Sequence, residues 1–280
     1  MKYIDLLRDA RIKLKNEAIN TAEIDSELIL SKSINLNREN ILLNLNSIAS
    51  QHQIKVFFNK VNKRLNKEPI AYILGKKEFW KTNFNITKNV LIPRPETEII
   101  VEEALKIIPK FTQKNILDIG TGSGCIIISI LLERKECKGT AIDVSKEAIK
   151  LAKHNAKMQH VGNRLDLKNV NIDNFLSKKY DLIVSNPPYI KNYLIKYLLE
   201  DVKNFEPILA LDGGLNGCKV IEKVIRKSAE LLKRNGNLIL EIDPRQVYET
   251  QKIMKNNSFH KTNIIKDLRG NIRCIVAKKN

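Results

Sequence analysis

The chain has 280 residues, of which 43% are hydrophobic and 29% charged, with 11 glycines and 8 prolines. This much apolar side chain can build a sizeable core, so the composition excludes a disordered or low-complexity protein. The net charge of +18 favours an acidic partner such as nucleic acid. Lysine and arginine are spread evenly along the chain, however, and a general compositional drift towards lysine explains the charge equally well.

The cysteines and the apolar runs restrict the cellular setting. The four cysteines are scattered and form no Cys-x-x-Cys pair, so we expect neither a metal site nor a disulfide framework. No uncharged run reaches the ~20 residues of a membrane helix, and the first residues lack the apolar segment of a signal peptide. These features predict a cytoplasmic protein without a membrane partner.

The first part of the chain predicts helices. In residues 1–70 apolar side chains recur at three- and four-residue spacing, which is typical of a small helix bundle. Residues 71–90 contain aromatic and β-branched residues in short alternation, as at Phe79-Trp80, which predicts a β-hairpin or an extended linker. We therefore expect a domain boundary here, with residues 91–280 forming the second domain.

Beyond residue 114, strand-like apolar runs alternate with amphipathic helical stretches. The runs are residues 115–119, 140–143, 180–185 and 237–242. This alternation predicts an α/β fold, a mostly parallel sheet with helices on both faces. Two further runs, 260–265 and 271–277, have no helix-length segment between them, so they should pair as a hairpin and give the sheet an antiparallel last strand.

A glycine-rich turn follows the strand 115–119. It contains Gly120, Thr121, Gly122, Ser123 and Gly124. Glycines at such a turn permit positive φ angles and let a ligand touch the backbone. The third glycine of the dinucleotide fingerprint would fall on the residue after Gly124, which is a cysteine, so a pyrophosphate-binding loop is disfavoured. A purely structural turn is the alternative interpretation.

Asp143 ends the next strand, roughly 20 residues after the first glycine of the turn. A carboxylate there can accept both hydroxyl protons of a ribose, so the pattern favours a nucleoside ligand without a pyrophosphate. The alternative role for Asp143 is the N-cap of the following helix, which Ser145 could fill instead.

The most informative motif is the string Asn186, Pro187, Pro188 and Tyr189 after the strand 180–185. The prolines end the strand and hold the loop extended, outside the carboxyl end of a strand and beside the glycine-rich turn. Two fixed carbonyl acceptors in this loop suit a planar NH2 group, and Tyr189 can stack on a flat amide or base. Such a grip would hold the nitrogen in line with an electrophilic methyl group. An ordinary proline-rich turn is the alternative.

Together these motifs resemble the S-adenosylmethionine-dependent amino-methyltransferases. Three further segments narrow the resemblance: residues 91–98 (Leu-Ile-Pro-Arg-Pro-Glu-Thr-Glu), residues 68–75 with 78–80, and Phe205-Glu206-Pro207. They resemble the HemK/PrmC family, and the similarity covers nearly the whole chain. Members of this family are glutamine N5-methyltransferases that modify the Gly-Gly-Gln motif of class I peptide-chain release factors.

The resemblance implies a fold and a set of roles. The fold would be a Rossmann-like seven-stranded methyltransferase domain, preceded by a small all-α substrate-recognition domain and a β-hairpin linker. The cofactor would be S-adenosyl-L-methionine, leaving S-adenosyl-L-homocysteine, with no metal. The residues of the glycine-rich turn would meet its methionine part and Asp143 its ribose, while Asn174, or Phe175 instead, would lie near the adenine.

By the same resemblance, Asn186 and the Pro187 carbonyl would hold the substrate amide, with Pro188 and Tyr189 packing nearby and Asn186 also next to the cofactor. The implied catalytic residues are therefore Asn186, Pro187 and Tyr189. The implied partners are class I release factors, met by a monomer that does not require direct nucleic-acid binding.

Two other functions remain open from the residues. A nucleic-acid amino-methyltransferase is one, because adenine N6 or guanine N2 presents the same planar NH2 group and similar enzymes share Asn-Pro-Pro-Tyr. The charge of +18 supports it. A binding module that has lost activity is the other, although nothing in the string from Asn186 to Tyr189 is degraded.

Overall fold

The computed structural model describes all residues, 1–280, and the chain divides into two compact units. The first unit contains Met1–Lys76 together with Leu199–Phe205, and the second contains Lys77–Leu198 and Glu206–Asn280. None of the helices combines the length and the apolar character needed to cross a membrane.

The first unit is helical. Its buried core includes Leu6, Leu14, Ile29 and Phe57, which the three- and four-residue apolar spacing brings to one face of each helix. The helices are α1 (Tyr3–Asn16), α2 (Ala22–Ile34), α3 (Arg38–Leu43), α4 (Gln51–Leu65) and α5 (Ile70–Leu74), with the later α9 (Glu200–Phe205).

The predicted hairpin is present. Strands β1 (Lys76–Phe79) and β2 (Thr82–Asn85) form a two-stranded sheet. Phe79 and Phe84 meet edge to face, with ring centroids 6.2 Å apart, and both are buried in the core of the second unit. The indole nitrogen of Trp80 in the turn donates to Glu133 Oε1 at 2.9 Å, which ties the turn to the same unit.

The second unit contains a seven-stranded sheet flanked by helices. Its strands are β3 (Asn115–Ile119), β4 (Lys138–Asp143), β5 (Leu165–Asn169), β6 (Tyr180–Ser185), β7 (Leu232–Glu241), β8 (Phe259–Lys266) and β9 (Ile272–Lys279). The helices are α6 (Glu98–Ile107), α7 (Cys125–Glu133), α8 (Lys146–Met158), α10 (Lys219–Leu231) and α11 (Val247–Asn256).

The strand order is β5-β4-β3-β6-β7-β9-β8, parallel from β5 to β7, with β9 antiparallel to β7 and β8. The predicted fold class is thus confirmed, including the antiparallel hairpin at the end of the chain. The apolar runs did not reveal β5, because this edge strand has only Leu165 and Leu167 as apolar residues and is largely exposed.

Both faces of the sheet are covered. Neighbouring residues of β3 point to opposite cores, with Ile116 in one apolar cluster and Leu117 in the other. A central strand buried on both faces needs apolar residues at successive positions, which explains why Ile116 and Leu117 are both apolar; the buried Asp118 is the exception in this strand.

The register of the sheet aligns the carboxyl ends of its central strands. Ile119 of β3 lies beside Ile142 of β4 and Ser185 of β6, and Ser185 lies beside Leu240 of β7. The next residue along each strand therefore belongs to one row, which we call the edge row. It consists of Asp143, Gly120, Asn186 and Glu241.

A buried asparagine of α8 connects the hairpin to the glycine-rich turn. Asn155 accepts from the backbone N–H of Asn85 at 2.9 Å and donates to the Asn85 carbonyl at 2.9 Å and the Ser123 carbonyl at 2.8 Å. It is 1% exposed. Because water cannot replace these partners, the one side chain satisfies backbone groups of both segments.

We expect Asn155→Ala to lower the free energy of unfolding by about 3 kcal/mol, since it leaves buried backbone groups unpaired. Urea denaturation measures the change. The control is Asn163→Ala at an exposed position, which should change stability by less than about 0.5 kcal/mol. Equal stability of the two variants would contradict this account of Asn155.

Candidate active site

A cavity of about 550 Å³ lies at the carboxyl edge of the sheet, within the second unit. This volume is in the range of small-molecule sites. Its walls come from the glycine-rich turn, the end of β4 with the start of α8, the loop after β5, the loop after β6, and the start of α10. Residues 89–97 and 207–214 contribute further lining positions.

The three glycines of the turn all have positive φ angles, but the space around them differs. A Cβ atom at Gly120 or Gly122 would have no neighbour within 4 Å, so backbone there faces open space. A Cβ atom at Gly124 would lie 2.8 Å from Ile128 Cδ1 and 3.3 Å from Ala152 Cβ. Gly120 and Gly122 can therefore meet a ligand with bare backbone, whereas Gly124 lets α7 pack against α8.

Asp118 supports the turn from below. The Thr121 hydroxyl donates to Asp118 Oδ2 at 2.7 Å, while Asp118 Oδ1 is buried without a partner. Complete burial raises the pKa of Asp118 to about 7, despite the hydrogen bond from Thr121.

Asp143 connects the glycine-rich turn to the start of α8. Its Oδ2 accepts from Gly122 N and its Oδ1 from Ser145 N, both at 2.9 Å. Burial raises the pKa of this carboxyl, and the backbone N–H groups partly oppose the effect. Ser145 itself caps α8 by accepting from Ala148 N, so the capping role does not fall to Asp143.

Asn186 lines the cavity, with its side-chain NH2 group turned away from solvent towards Thr97. Asn186 Nδ2 donates to Thr97 Oγ1 at 3.1 Å. The Thr97 hydroxyl and the Asn186 amide both interact with the buried Glu241 carboxyl, whose pKa burial raises to about 7. These partners occupy the donor end of Asn186, which leaves its carbonyl oxygen as the free acceptor.

The remaining residues of the motif after β6 also contact residues outside the cavity. Pro188 lines the cavity, Pro187 is buried, and Tyr189 lies against a second cavity on the other side. Gln246 Nε2 donates to the Tyr189 carbonyl at 2.9 Å. A Cβ atom at Gly217 would lie 2.5 Å from that same carbonyl, so the glycine permits close packing behind the motif.

A partly buried ion pair fixes another wall of the cavity. Glu206 pairs with Arg94 and also accepts from Ile92 N at 3.1 Å. Arg94 in turn donates to the Ile92 carbonyl at 3.1 Å. This pair connects the segment Ile-Pro-Arg-Pro-Glu to Phe-Glu-Pro, two motifs that lie more than a hundred residues apart in the chain.

The structure brings most of the predicted site residues to one cavity, but not all of them. Gly124, Asn174, Pro187 and Tyr189 do not line it, and Asn174 is exposed. Phe175 is buried in an apolar core cluster. From that segment, Asn171 and Ile172 line the cavity instead. The lining residues from the prediction are Gly120, Thr121, Gly122, Ser123, Asp143, Asn186 and Pro188.

Sequence reasoning missed Thr97, Glu241 and the pairing of Arg94 with Glu206. A signal for Glu241 existed, because a carboxylate at the carboxyl end of an apolar strand lies where open α/β sheets bind ligands. Thr97 and Arg94 belong to a recognised motif, but no local pattern shows which distant residues they contact.

The arrangement of cavity, glycine-rich turn and sheet defines the methyltransferase class. Among solved structures, the catalytic domain of hMettl16, solved with the MAT2A 3′UTR hairpin 6, shares this fold with 19% identity and a TM-score of 0.58. The match covers 70% of this chain and 74% of that chain. The family described as "Methyltransferase small domain" matches residues 97–201, and "PrmC N-terminal domain" matches residues 5–75.

Curated relatives narrow the class. Release factor glutamine methyltransferase from Caulobacter vibrioides is 35% identical, over 97% of this chain and 94% of the relative. The protein of the same name from Clostridium botulinum is 37% identical, over 98% of each chain. The chain therefore belongs to the release factor glutamine methyltransferase family.

The raised pKa of Asp118 predicts a pH dependence of stability. The folded state keeps a proton that the unfolded state releases above its ordinary pKa of 3.8, so the stabilising contribution disappears as pH rises from about 4 to about 7. When the pH rises from 5 to 8, the free energy of unfolding should fall in the unchanged protein. In Asp118→Asn the fall should be smaller, by about 1 kcal/mol or more.

Urea unfolding at both pH values tests this expectation. The control is Asp166→Asn, which removes an exposed carboxylate and should leave the pH dependence unchanged. Parallel pH curves for Asp118→Asn and the unchanged protein would contradict the assignment.

Proposed function

We propose that the protein uses S-adenosyl-L-methionine to methylate the side-chain amide nitrogen of the glutamine in the Gly-Gly-Gln motif of class I peptide-chain release factors. The single observation that carries the chemistry is the orientation of Asn186. Its NH2 group is bound by Thr97, so its carbonyl oxygen is available to accept from a substrate amide. The names of the curated relatives support the substrate.

The cavity suits the proposed cofactor. Gly120 and Gly122 offer bare backbone for its methionine part, and the remaining lone pairs of Asp143 can accept from ribose hydroxyls. The apolar side chains of Val170 and Ile172 form a wall for the adenine, in place of Asn174. When bound, the cofactor supplies an electrophilic methyl group on a sulfonium sulfur.

The protein's own work is orientation. The Asn186 carbonyl oxygen and the Pro187 backbone carbonyl would each accept one N–H of the glutamine amide, which aims its nitrogen at the methyl group. The two acceptors would stabilise the positive charge that develops on this nitrogen as it takes the methyl group from the sulfonium sulfur. One N–H proton would then leave to solvent, and the products would be the methylated glutamine and S-adenosyl-L-homocysteine.

Incubation with labelled cofactor and either purified release factor or bulk RNA and DNA tests the substrate. We expect label in the release factor, and mass spectrometry should find one added methyl group on the glutamine of Gly-Gly-Gln. Label found only in nucleic acid would overturn the proposal in favour of a nucleic-acid amino-methyltransferase.

We expect Asn186→Ala to lower kcat on the order of 10²-fold or more, because it removes one of the two oriented acceptors. Steady-state methylation of the release factor measures the change. The matched control is Asn192→Ala, an exposed asparagine at the start of the short 3-10 helix that follows the motif, which should retain normal activity. Undiminished kcat in Asn186→Ala would refute the assigned role.

For Asp143→Ala we expect the Kd for S-adenosyl-L-methionine to rise about 10- to 100-fold, since each lost hydrogen bond to a charged acceptor contributes about 1.5–3 kcal/mol. Isothermal titration calorimetry measures the Kd. The exposed carboxylate variant Asp166→Asn serves again as control and should bind normally. Normal cofactor binding by Asp143→Ala would show that the ribose lies elsewhere.

A further inference from the structure

We propose that Glu241 is a positioning residue, whose buried carboxyl group acts with the Thr97 hydroxyl to hold the Asn186 amide in one of its two possible orientations. In that orientation the Asn186 carbonyl oxygen, rather than its NH2 group, is presented to the substrate. The inference rests on the proposed function, in which Asn186 accepts from the substrate amide.

Strand register places Glu241 beside Asn186, and Thr97 contacts Asn186 from a short helix. Glu241 is the last residue of β7 and lies next to Asn186 in the edge row, because Leu240 pairs with Ser185. Thr97 ends a short 3-10 helix formed by Pro95–Thr97. Glu241 is 5% exposed and Thr97 3%, so water cannot take over either hydrogen-bonding role.

The direction of the hydrogen bonds follows from what each group can do. In its ionised form the Glu241 carboxyl accepts only, and in its protonated form it still offers one carbonyl oxygen as an acceptor, while a hydroxyl can donate one bond and accept another. The Thr97 hydroxyl can thus donate to Glu241 and accept from Asn186 Nδ2 at 3.1 Å. If the Asn186 amide turned over, its carbonyl oxygen would face these acceptor oxygens, which is unfavourable in a buried site.

A structural role as an ion-pair partner does not explain Glu241. Arg273 is the cation that acts on it, but its side chain forms ion pairs with Asp267 at 2.8 Å and with Glu96 at 3.7 Å. Oε2 of Glu241 is buried without a hydrogen-bond partner. A well-packed apolar residue is often at least as stable at such a position, so the retained carboxyl fits a functional requirement.

Loss of the Glu241 acceptor should lower kcat. Glu241→Leu removes it, so Asn186 can adopt both orientations, and kcat should fall about 10-fold or more while the KM for the cofactor stays within about twofold. Glu241→Gln still offers an amide oxygen, and it should restore kcat to within about threefold of the unchanged protein. The control is Glu103→Leu, which removes another buried carboxyl, paired with Lys106, and should leave kcat unchanged.

A second measurement needs neither substrate nor cofactor. The side-chain NH2 signals of Asn186, assigned by their loss in Asn186→Ala, should exchange slowly with solvent in the unchanged protein and in Glu241→Gln. They should exchange faster in Glu241→Leu. If Glu241→Leu does not fold, Thr97→Val removes the connecting hydroxyl instead and should change kcat and exchange in the same direction.

The outcomes separate the two proposals. If the unchanged protein does not methylate release factors, the proposed function fails, while the exchange measurement still tests the orientation of Asn186. If methylation occurs but Glu241→Leu keeps normal kcat and slow exchange, or Glu241→Gln loses as much activity as Glu241→Leu, the positioning role is refuted.

Discussion

The parallel register of four strands is the constraint on which the site depends. Adjacent strands lie ~4.8 Å apart, and their hydrogen bonds set which residue ends beside which. The edge row of Asp143, Gly120, Asn186 and Glu241 is therefore a rigid line of functional groups, each one strand apart. Because a one-residue slip in any strand would turn its side chains to the other face, the buried cores on both faces also protect the alignment of the site.

This arrangement places two carboxyl groups in buried positions, where their ionised form is unfavourable. Asp118 beneath the glycine-rich turn and Glu241 in the edge row both have a pKa raised to about 7 by burial, and each has one oxygen without a partner. Asp118 accepts a hydrogen bond from Thr121, and Glu241 interacts with Thr97; both threonines line the cavity. The same design thus occurs twice: a buried acid orients a hydroxyl, and the hydroxyl or its backbone shapes the ligand-binding surface.

Local sequence patterns were enough to predict those elements that depend only on neighbouring residues in the chain. Strands β3 and β6 carry apolar residues at successive positions because both faces of the sheet are covered, although each also contains an aspartate, and the predicted bounds of both match those observed. The edge strand β5 was not predicted from the apolar runs, because half-exposed strands need few apolar residues. The predicted domain boundaries at residues 70 and 90 stay a prediction. Along the chain the first compact unit ends at Lys76 and the second begins at Lys77, and the first also includes residues 199–205, which no local pattern indicates.

By itself the sequence determined the fold class, the glycine-rich turn and the motif from Asn186 to Tyr189, because glycines, prolines and apolar periodicity act on the nearest few residues. The tertiary structure decided which distant groups complete the site. Contacts such as Glu241 with Thr97, or Glu206 with Arg94, join residues more than a hundred positions apart. No local pattern specifies such pairs, because most of these residues lie in loops and short helices that come together only when the domain has folded.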